Sequence, residues 1–162
     1  MKLEIVSGGQ TGVDRAALDT AIRYDLPCGG WCPPGRLAED GPISTHYPLT
    51  ELPSGGYPQR TRRNVKDADA TLIIHGGKVG RGTGLTINTA QRLDKPLLVL
   101  NLQAYDANSD FSLLQTQLRE FIDQHQVAVL NVAGPRASGW TNAYALSRKL
   151  LAAVFADYRS RL

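Results

Sequence analysis

Three glycine-rich segments occur where this chain could bind an anion, at residues 8–12, 76–84 and 133–139. An apolar run precedes each segment, and a helical pattern follows it. The first amides of a helix have no partner within that helix, and together with the helix dipole they attract negative charge. Glycine also lets the backbone approach a bound group closely. The three segments therefore predict a phosphate-binding site.

None of the three segments matches a common nucleotide-binding signature. No G-K-[ST] follows a glycine-rich turn, and no G-x-G-x-x-G follows the first apolar run, so neither a P-loop nor a dinucleotide fingerprint is indicated. For any one of these segments a tight turn is the favoured explanation, and the prediction therefore depends on all three meeting at one edge. The candidate ligand-binding residues are Gly8, Gly9, Gln10, Thr11, Gly12, Asp14, Arg60, Gly76, Gly77, Gly82, Thr83, Gly84 and Arg136.

Charged side chains near these segments have two interpretations each. Asp14 is either a first-turn acid favoured by the helix dipole or a contact for a ligand group such as a ribose hydroxyl. Arg15 either reaches a phosphate or is a solvated surface charge. Arg136 either approaches the same site or is a turn residue after proline. Glu39 and Asp40 are adjacent acids in a loop, and a structural, loop-closing role is favoured for them.

Several other residue types suggest chemistry less strongly. Cys28 and Cys32 have the spacing of a weak soft-metal site, but buried cysteines that act as small apolar residues are favoured, and no metal site is predicted. His75 ends an apolar run and is interpreted as a structural histidine. Trp31 and Tyr57 either stack on a planar ligand ring or pack their loop against the domain.

The elements that position these residues follow from periodicity. Apolar runs alternate with helical patterns, which predicts βαβ units, a mostly parallel sheet and an α/β fold. Ligands bind such sheets at the carboxyl ends of the strands. Thr11 and Asp14 predict a capping box for the first helix, and residues 26–57 predict an irregular excursion with one short strand at 29–32. Strands are predicted at 3–7, 70–75, 97–102 and 127–132, and helices at 13–24, 59–67, 85–93, 111–122 and 140–158.

Length, charge and cysteine content limit the class of protein. The 162 residues fit one domain, and a formal charge of +3 is too small to require nucleic acid as a partner. Two cysteines without a signal peptide or a membrane-spanning run predict a cytoplasmic protein. The apolar faces of the last two helices fit either the core or a homo-oligomer.

A series of motifs extends along most of the chain: SGGQTGVDRAALD (7–19), GWCP (30–33), GR (35–36), AEDG (38–41), YPL (47–49), RT (60–61), NV (64–65), ATLI (70–73), GT (82–83) and NVAGPR (131–136). This ordered series resembles the putative molybdenum carrier family. That family belongs to a wider group of Rossmann-like proteins, once described as lysine decarboxylases, that includes the cytokinin-activating phosphoribohydrolases. The resemblance implies a circularly permuted, Rossmann-like three-layer sandwich, and it makes Arg60 the first candidate for an anion clamp.

The same resemblance frames the predicted function. The family name implies a pterin-type molybdenum cofactor as ligand, whereas the residues by themselves predict only a phosphorylated, planar ligand. Together they predict a carrier or sensor for a phosphorylated nucleotide-like or pterin molecule. The hydrolytic relatives carry P-G-G-x-G-T-x-x-E, but their glutamate position falls here on Thr86, which cannot act as a general base. N-glycosidic hydrolysis, with Glu39 or Asp40 replacing the glutamate, is the alternative. Nucleic-acid binding is a third and less favoured hypothesis. No catalytic residue is assigned.

Overall fold

A parallel five-stranded sheet forms the centre of the fold. The structure is a computed structural model that describes residues 2–159. Met1 and residues 160–162 of the predicted domain lie outside the described residues. The sheet order is β2-β1-β9-β7-β8, and every pairing in it is parallel, which confirms the predicted α/β architecture. Its strands are β1 Glu4–Val6, β2 Cys28–Gly29, β7 Ala70–His75, β8 Leu97–Asn101 and β9 Val129–Ala133.

Five helices cover the two faces of this sheet and make three layers. Helix α1 packs against α5, and α5 packs against α4, whereas α2 and α3 pack against each other. No helix within residues 2–159 combines the length and apolar character that crossing a membrane requires. The helices are α1 Val13–Arg23, α2 Tyr57–Asp67, α3 Arg81–Arg92, α4 Ser112–Gln124 and α5 Ala143–Arg159.

Two predicted helix starts differ from the observed ones by three or four residues. Helix α3 begins at Arg81 rather than residue 85, so Gly82, Thr83 and Gly84 belong to its first turn and not to the preceding loop. Glycine has a poor helix propensity, and the sequence pattern therefore hides this start. Helix α5 begins at Ala143 rather than residue 140, after a turn in which the Ala143 amide donates to the Trp140 carbonyl.

The main hydrophobic core lies between the sheet and the α1, α4 and α5 layer. Leu130 and Val132 of β9 point into it and are fully buried beside side chains of α5 such as Phe155. Burying one such side chain stabilises the fold by about 1.5–3 kcal/mol. Side chains alternate along a strand, so Asn131 points to the opposite face, toward α2 and α3. That face carries polar residues and leaves room for a cavity.

The segment between α1 and α2 forms two small sheets beside the main one. The single strand predicted at 29–32 is wrong, because Gly30 has a φ of +124° and divides it. A Cβ at this glycine would lie 2.3 Å from the Ser7 carbonyl oxygen, so no other residue fits there. Strand β3 pairs with β6, and β4 pairs with β5. These strands are β3 Trp31–Cys32, β4 Leu37–Ala38, β5 Gly41–Pro42 and β6 Thr50–Glu51, and a 3₁₀ turn covers Pro34–Arg36.

Candidate ligand-binding site

The three glycine-rich segments meet because their strands are neighbours. They follow β1, β9 and β7, which are adjacent in the sheet. From β1 the chain crosses to β2 at one edge, and from β7 it crosses to β8 at the other. The two crossovers diverge on either side of β9, and a crevice opens at such a switch point in parallel sheets. The sheet order therefore brings together segments that are far apart in the sequence.

A cavity of about 590 Å³ occupies this crevice. Its volume is within the range of about 300–1,000 Å³ that small-molecule sites span. The walls come from the first turn after β1, the end of β9 with its loop, helix α2, and the start of α3. The lining residues are Gly8, Gln10, Asp14, Tyr57, Pro58, Arg60, Thr61, Asn64, Lys78, Gly80, Arg81, Gly82, Thr83, Leu85, Thr86, Asn131, Ala133, Gly134, Pro135, Arg136, Ser138 and Gly139.

The predicted site residues divide into two groups. Those on the cavity are Gly8, Gln10, Asp14, Arg60, Gly82, Thr83 and Arg136, and their contact with a ligand stays a prediction. Those off the cavity wall are Gly9, Thr11, Gly12, Gly76, Gly77 and Gly84.

Most of the glycines in the second group serve contacts within the protein. A Cβ at Gly9 would meet the Leu49 side chain at 2.5 Å, and one at Gly76 would meet the Trp140 ring at 2.3 Å. Gly12 has a φ of +81°, and a Cβ there would lie 2.5 Å from the Pro135 carbonyl oxygen. The sequence indicates that a glycine allows another group to approach the backbone closely. Only the fold decides whether that group is a ligand or another part of the protein.

Helix α1 does not begin with the predicted capping box. Its N-cap is Gly12, and the Thr11 hydroxyl points away from the helix to donate to Glu39. The Asp14 carboxylate instead accepts the Gln10 amide, with the Gln10 nitrogen 3.1 Å from Asp14 Oδ2. Thr11 and Asp14 therefore do not cap α1. Asp14 binds the Gln10 backbone amide within the first glycine-rich segment, and Thr11 joins that segment to Glu39.

Glu39 joins the first glycine-rich segment, residues 8–12, to the third, residues 133–139. Its carboxylate accepts hydrogen bonds from the Thr11 hydroxyl and from both the amide and the hydroxyl of Ser138. Arg136 Nε lies 3.5 Å from Glu39 Oε2, and these donors hold the pKa of Glu39 below its ordinary value even though partial burial opposes them. Thr11 Oγ also accepts the Ala137 amide at 3.1 Å. The geometry agrees with a loop-closing role for Glu39.

Arg15 belongs to this scaffold and not to the cavity. Its guanidinium binds Asp40 through two hydrogen bonds of 3.0 Å each, and its Nε donates to the Gly9 carbonyl at 2.6 Å. The alternative in which Arg15 reaches a phosphate is not supported by this arrangement. Asp40, like Glu39, lies off the cavity wall.

Arg60 and Asp14 form the charged inner end of the cavity. Both are buried, and Arg60 Nη1 lies 4.0 Å from Asp14 Oδ2. The same nitrogen donates to the Gly8 carbonyl at 2.7 Å, and the guanidinium carbon lies 5.4 Å from the centre of the Tyr57 ring. Burial raises the pKa of Asp14, while Arg60 and the Gln10 amide act against that rise. A buried titratable pair in a cleft is a common feature of functional sites.

The outer end of the cavity is cationic. Lys78, Arg81 and Arg136 line it and are exposed to solvent. The first backbone hydrogen bond of α3 joins the Gly84 amide to the Gly80 carbonyl, so the three preceding amides of α3 have no partner within the helix. These amides and side chains make an environment suited to an anion.

Sequence reasoning missed several cavity residues. Asn64 and Asn131 occur in the quoted motifs, but nothing in their local pattern indicated a cavity. Lys78 and Arg81 lie inside the second glycine-rich segment and were passed over in favour of its glycines. A cation within such a segment was the signal that could have identified them.

The remaining candidates are structural in this fold. Trp31 donates its indole N–H to Asp67 at 2.9 Å, and the Arg63 guanidinium lies 4.5 Å from its ring. Trp31 therefore packs the irregular segment 26–57 against α2 and does not face the cavity. Cys28 and Cys32 lie in different sheets. His75 Nδ1 accepts the Gly77 amide, and burial lowers the pKa of His75.

Comparison with known proteins places this chain in a family. A sequence model of the circularly permutated YpsA SLOG family matches residues 5–155. The chain belongs to that family. It is also similar to a crystal structure described as a putative molybdenum carrier protein from Syntrophus aciditrophicus SB, with 42% identity and a TM-score of 0.88 over 95% of this chain and 94% of that one. No curated protein gives a significant match. The resemblance to molybdenum carrier proteins is thereby confirmed.

Proposed function

We propose that this SLOG protein binds a phosphorylated, nucleotide-like or pterin ligand in the cavity, as a carrier or sensor. One observation carries the proposal: the crevice between three converging loops combines unpaired helix amides with cationic side chains. These groups suit a phosphate, whereas the Tyr57 ring and Leu85 offer an apolar surface to a planar head group. The volume exceeds what a bare tetrahedral oxyanion needs and favours an organic ligand.

The name of the structural neighbour suggests a molybdenum-related cargo. The cavity fits the organic part of such a cargo, because its outer cations suit a phosphate and its aromatic wall suits a pterin ring. Within residues 2–159, no histidine or cysteine lines the cavity, and no cluster of metal-ligating side chains occurs. We therefore propose that the protein would hold a molybdenum cofactor by its phosphate and pterin and not through a protein–metal bond.

The test is a binding measurement with a matched control. Titration calorimetry with nucleoside monophosphates, a pterin phosphate, inorganic phosphate and molybdate should give tighter binding for the organic phosphates. Arg81→Ala removes a charge from the cavity, whereas Arg62→Ala removes an equal charge from an exposed position of α2 off the cavity. Only Arg81→Ala should weaken binding, by about tenfold. Equal effects of the two variants would refute this location, and a lack of binding by all the organic phosphates would refute the proposed function.

A second candidate function is N-glycosidic hydrolysis of a nucleoside monophosphate. The observation that favours it is Asp14, a buried carboxyl group on the cavity wall whose pKa burial raises. Thr86 occupies the position of the missing glutamate, and its hydroxyl donates to the Gly82 carbonyl within α3. In this mechanism the C1′–N bond breaks, Asp14 gives its proton to the leaving base, and water adds its oxygen to C1′ and returns a proton to Asp14.

Free base released from nucleoside monophosphates decides between the two functions. Hydrolysis requires release by the wild-type protein that Asp14→Asn abolishes. A protein that binds these ligands without releasing base is a carrier or sensor and not an enzyme of this type.

A further inference from the structure

The two ends of the cavity differ in charge. At the inner end, Arg60 Nη1 lies 4.0 Å from Asp14 Oδ2, so the ionised carboxylate offsets the guanidinium charge. At the outer end, Lys78 and Arg81 pair with no carboxylate within residues 2–159, and Arg136 has only Glu39 at 3.5 Å. The inner end is thus close to neutral and buried, and the outer end is positively charged and open to solvent.

We propose that the ligand binds with its phosphate at the outer end and an uncharged planar ring against Asp14. In this orientation Asp14 selects rings that carry two adjacent N–H donors. This inference rests on the proposed function. The chemistry named is a 2-amino-lactam edge, in which a ring N–H stands beside an exocyclic amino group, as in guanine or a pterin. Asp14 then acts as the specificity residue of the site.

The argument for Asp14 starts from its hydrogen-bonding capacity. A carboxylate has about four acceptor positions and no donor. Of these, one is taken by the Gln10 amide at Oδ2, and the Ser7 hydroxyl also lies beside the carboxyl group. The carboxyl group lines the cavity, and its remaining acceptor positions suit donors on a ligand. It is also the one carboxylate on the cavity wall within the described part of the chain.

Parallel N–H donors match this acceptor, and other edges do not. A 2-amino-lactam directs two N–H groups at the two oxygens of a carboxylate, in the manner of a bidentate guanidinium pair. The adenine edge offers one donor and one acceptor, so one of its lone pairs would face a carboxylate lone pair. Burial raises the pKa of Asp14, and the neighbouring Arg60 guanidinium acts against that rise by favouring the ionised carboxylate that this pairing needs.

The wall beside this pair suits a planar head. Tyr57 is 39% exposed and lies on the cavity beside the Arg60 guanidinium. A ring placed against Tyr57 would lie beside the Arg60 guanidinium at the inner end. The outer cations then stand where a 5′-phosphate or a pterin side-chain phosphate would project.

The experiment compares four nucleotides on the full chain. Titration calorimetry with GMP, IMP, AMP and XMP should show GMP binding at least about tenfold more tightly than IMP and AMP. IMP lacks the 2-amino group, and AMP lacks both the ring N–H and the 2-amino group of this edge. A pterin phosphate compared with GMP then distinguishes the two sources of the same edge, and dGMP checks whether the ribose hydroxyl supplies the donor instead. Equal affinities for GMP and AMP would overturn the inference. It would also be overturned if GMP bound more tightly than AMP but dGMP did not, because the ribose hydroxyl would then supply the donor.

Substitution at Asp14 gives an independent test. Asp14→Asn should lower the affinity for GMP by about tenfold or more and should shift the preference toward XMP, whose 2-oxo group accepts a hydrogen bond. Arg81→Ala should weaken all four nucleotides by the same factor. If Asp14→Asn weakens all four equally, the head-group assignment fails. The wild-type comparison needs no variant and holds if Asp14→Asn does not fold. Binding of phosphates without discrimination would overturn this inference alone, whereas no binding at all would overturn the proposed function.

Discussion

A pair of glycines in the first turn of α3 separates the effect of a methyl group on the fold from its effect on the ligand. Gly82 lines the cavity and Gly84 does not. A Cβ added at either position meets no atom within 4 Å, and neither residue has a positive φ. The substitutions Gly82→Ala and Gly84→Ala therefore carry no steric cost in the protein itself.

Both substitutions should stabilise the protein. Alanine is favoured over glycine in a helix by about 0.5–1 kcal/mol, because the unfolded glycine has more conformational freedom to lose. For a chain of this size, that free energy corresponds to a rise in Tm of about 1–4 °C. Differential scanning calorimetry of the two variants and the wild type measures it.

Ligand binding should separate the two variants. The methyl group of Gly82→Ala projects into the space where an anion would approach the free amides of α3, and we expect about tenfold weaker binding of GMP, or about 1.4 kcal/mol. Gly84→Ala should bind like the wild type. Equal affinities for the two variants, with both folded and stabilised, would refute the assignment of the anion site to the start of α3.

Three further predictions address the scaffold. The pKa of Glu39 is lower in the folded protein than in the unfolded chain, so its ionised carboxylate stabilises the fold above about pH 4.5. This contribution is lost as the pH falls through the folded-state pKa. On acidification, Tm should therefore fall more steeply for the wild type than for Glu39→Gln. Gly12→Ala should destabilise the protein by about 1–3 kcal/mol in chemical denaturation, because the methyl group meets the backbone of the third loop, whereas Gly41→Ala incurs only the cost of its positive φ. Burial raises the pKa of Cys28 and Cys32, so both thiols should react with a thiol reagent more slowly at pH 8 than a free cysteine, and fast labelling would contradict their placement.

Local patterns in the sequence were sufficient for the elements. Continuous apolar runs such as residues 70–75 identified buried strands, and the 3.6-residue period identified most helices. These signals are short-range, because they depend on which side chains face one layer of the core. They failed where glycine replaced the pattern, as at the start of α3, and where Gly30 divides a short apolar run into two strands.

The site required the tertiary structure. Residues 8–12, 76–84 and 133–139 were recognised as alike from their composition, but their meeting depends on the order β1-β9-β7, which long-range pairing of strands decides. The packing of the helices likewise decides that Arg60 of α2 lines the cavity whereas Arg15 of α1 binds Asp40, although both are arginines in helices. A sequence specifies which groups can bind an anion, and the packing of distant elements decides which of them point into one cavity and which are used to hold it together.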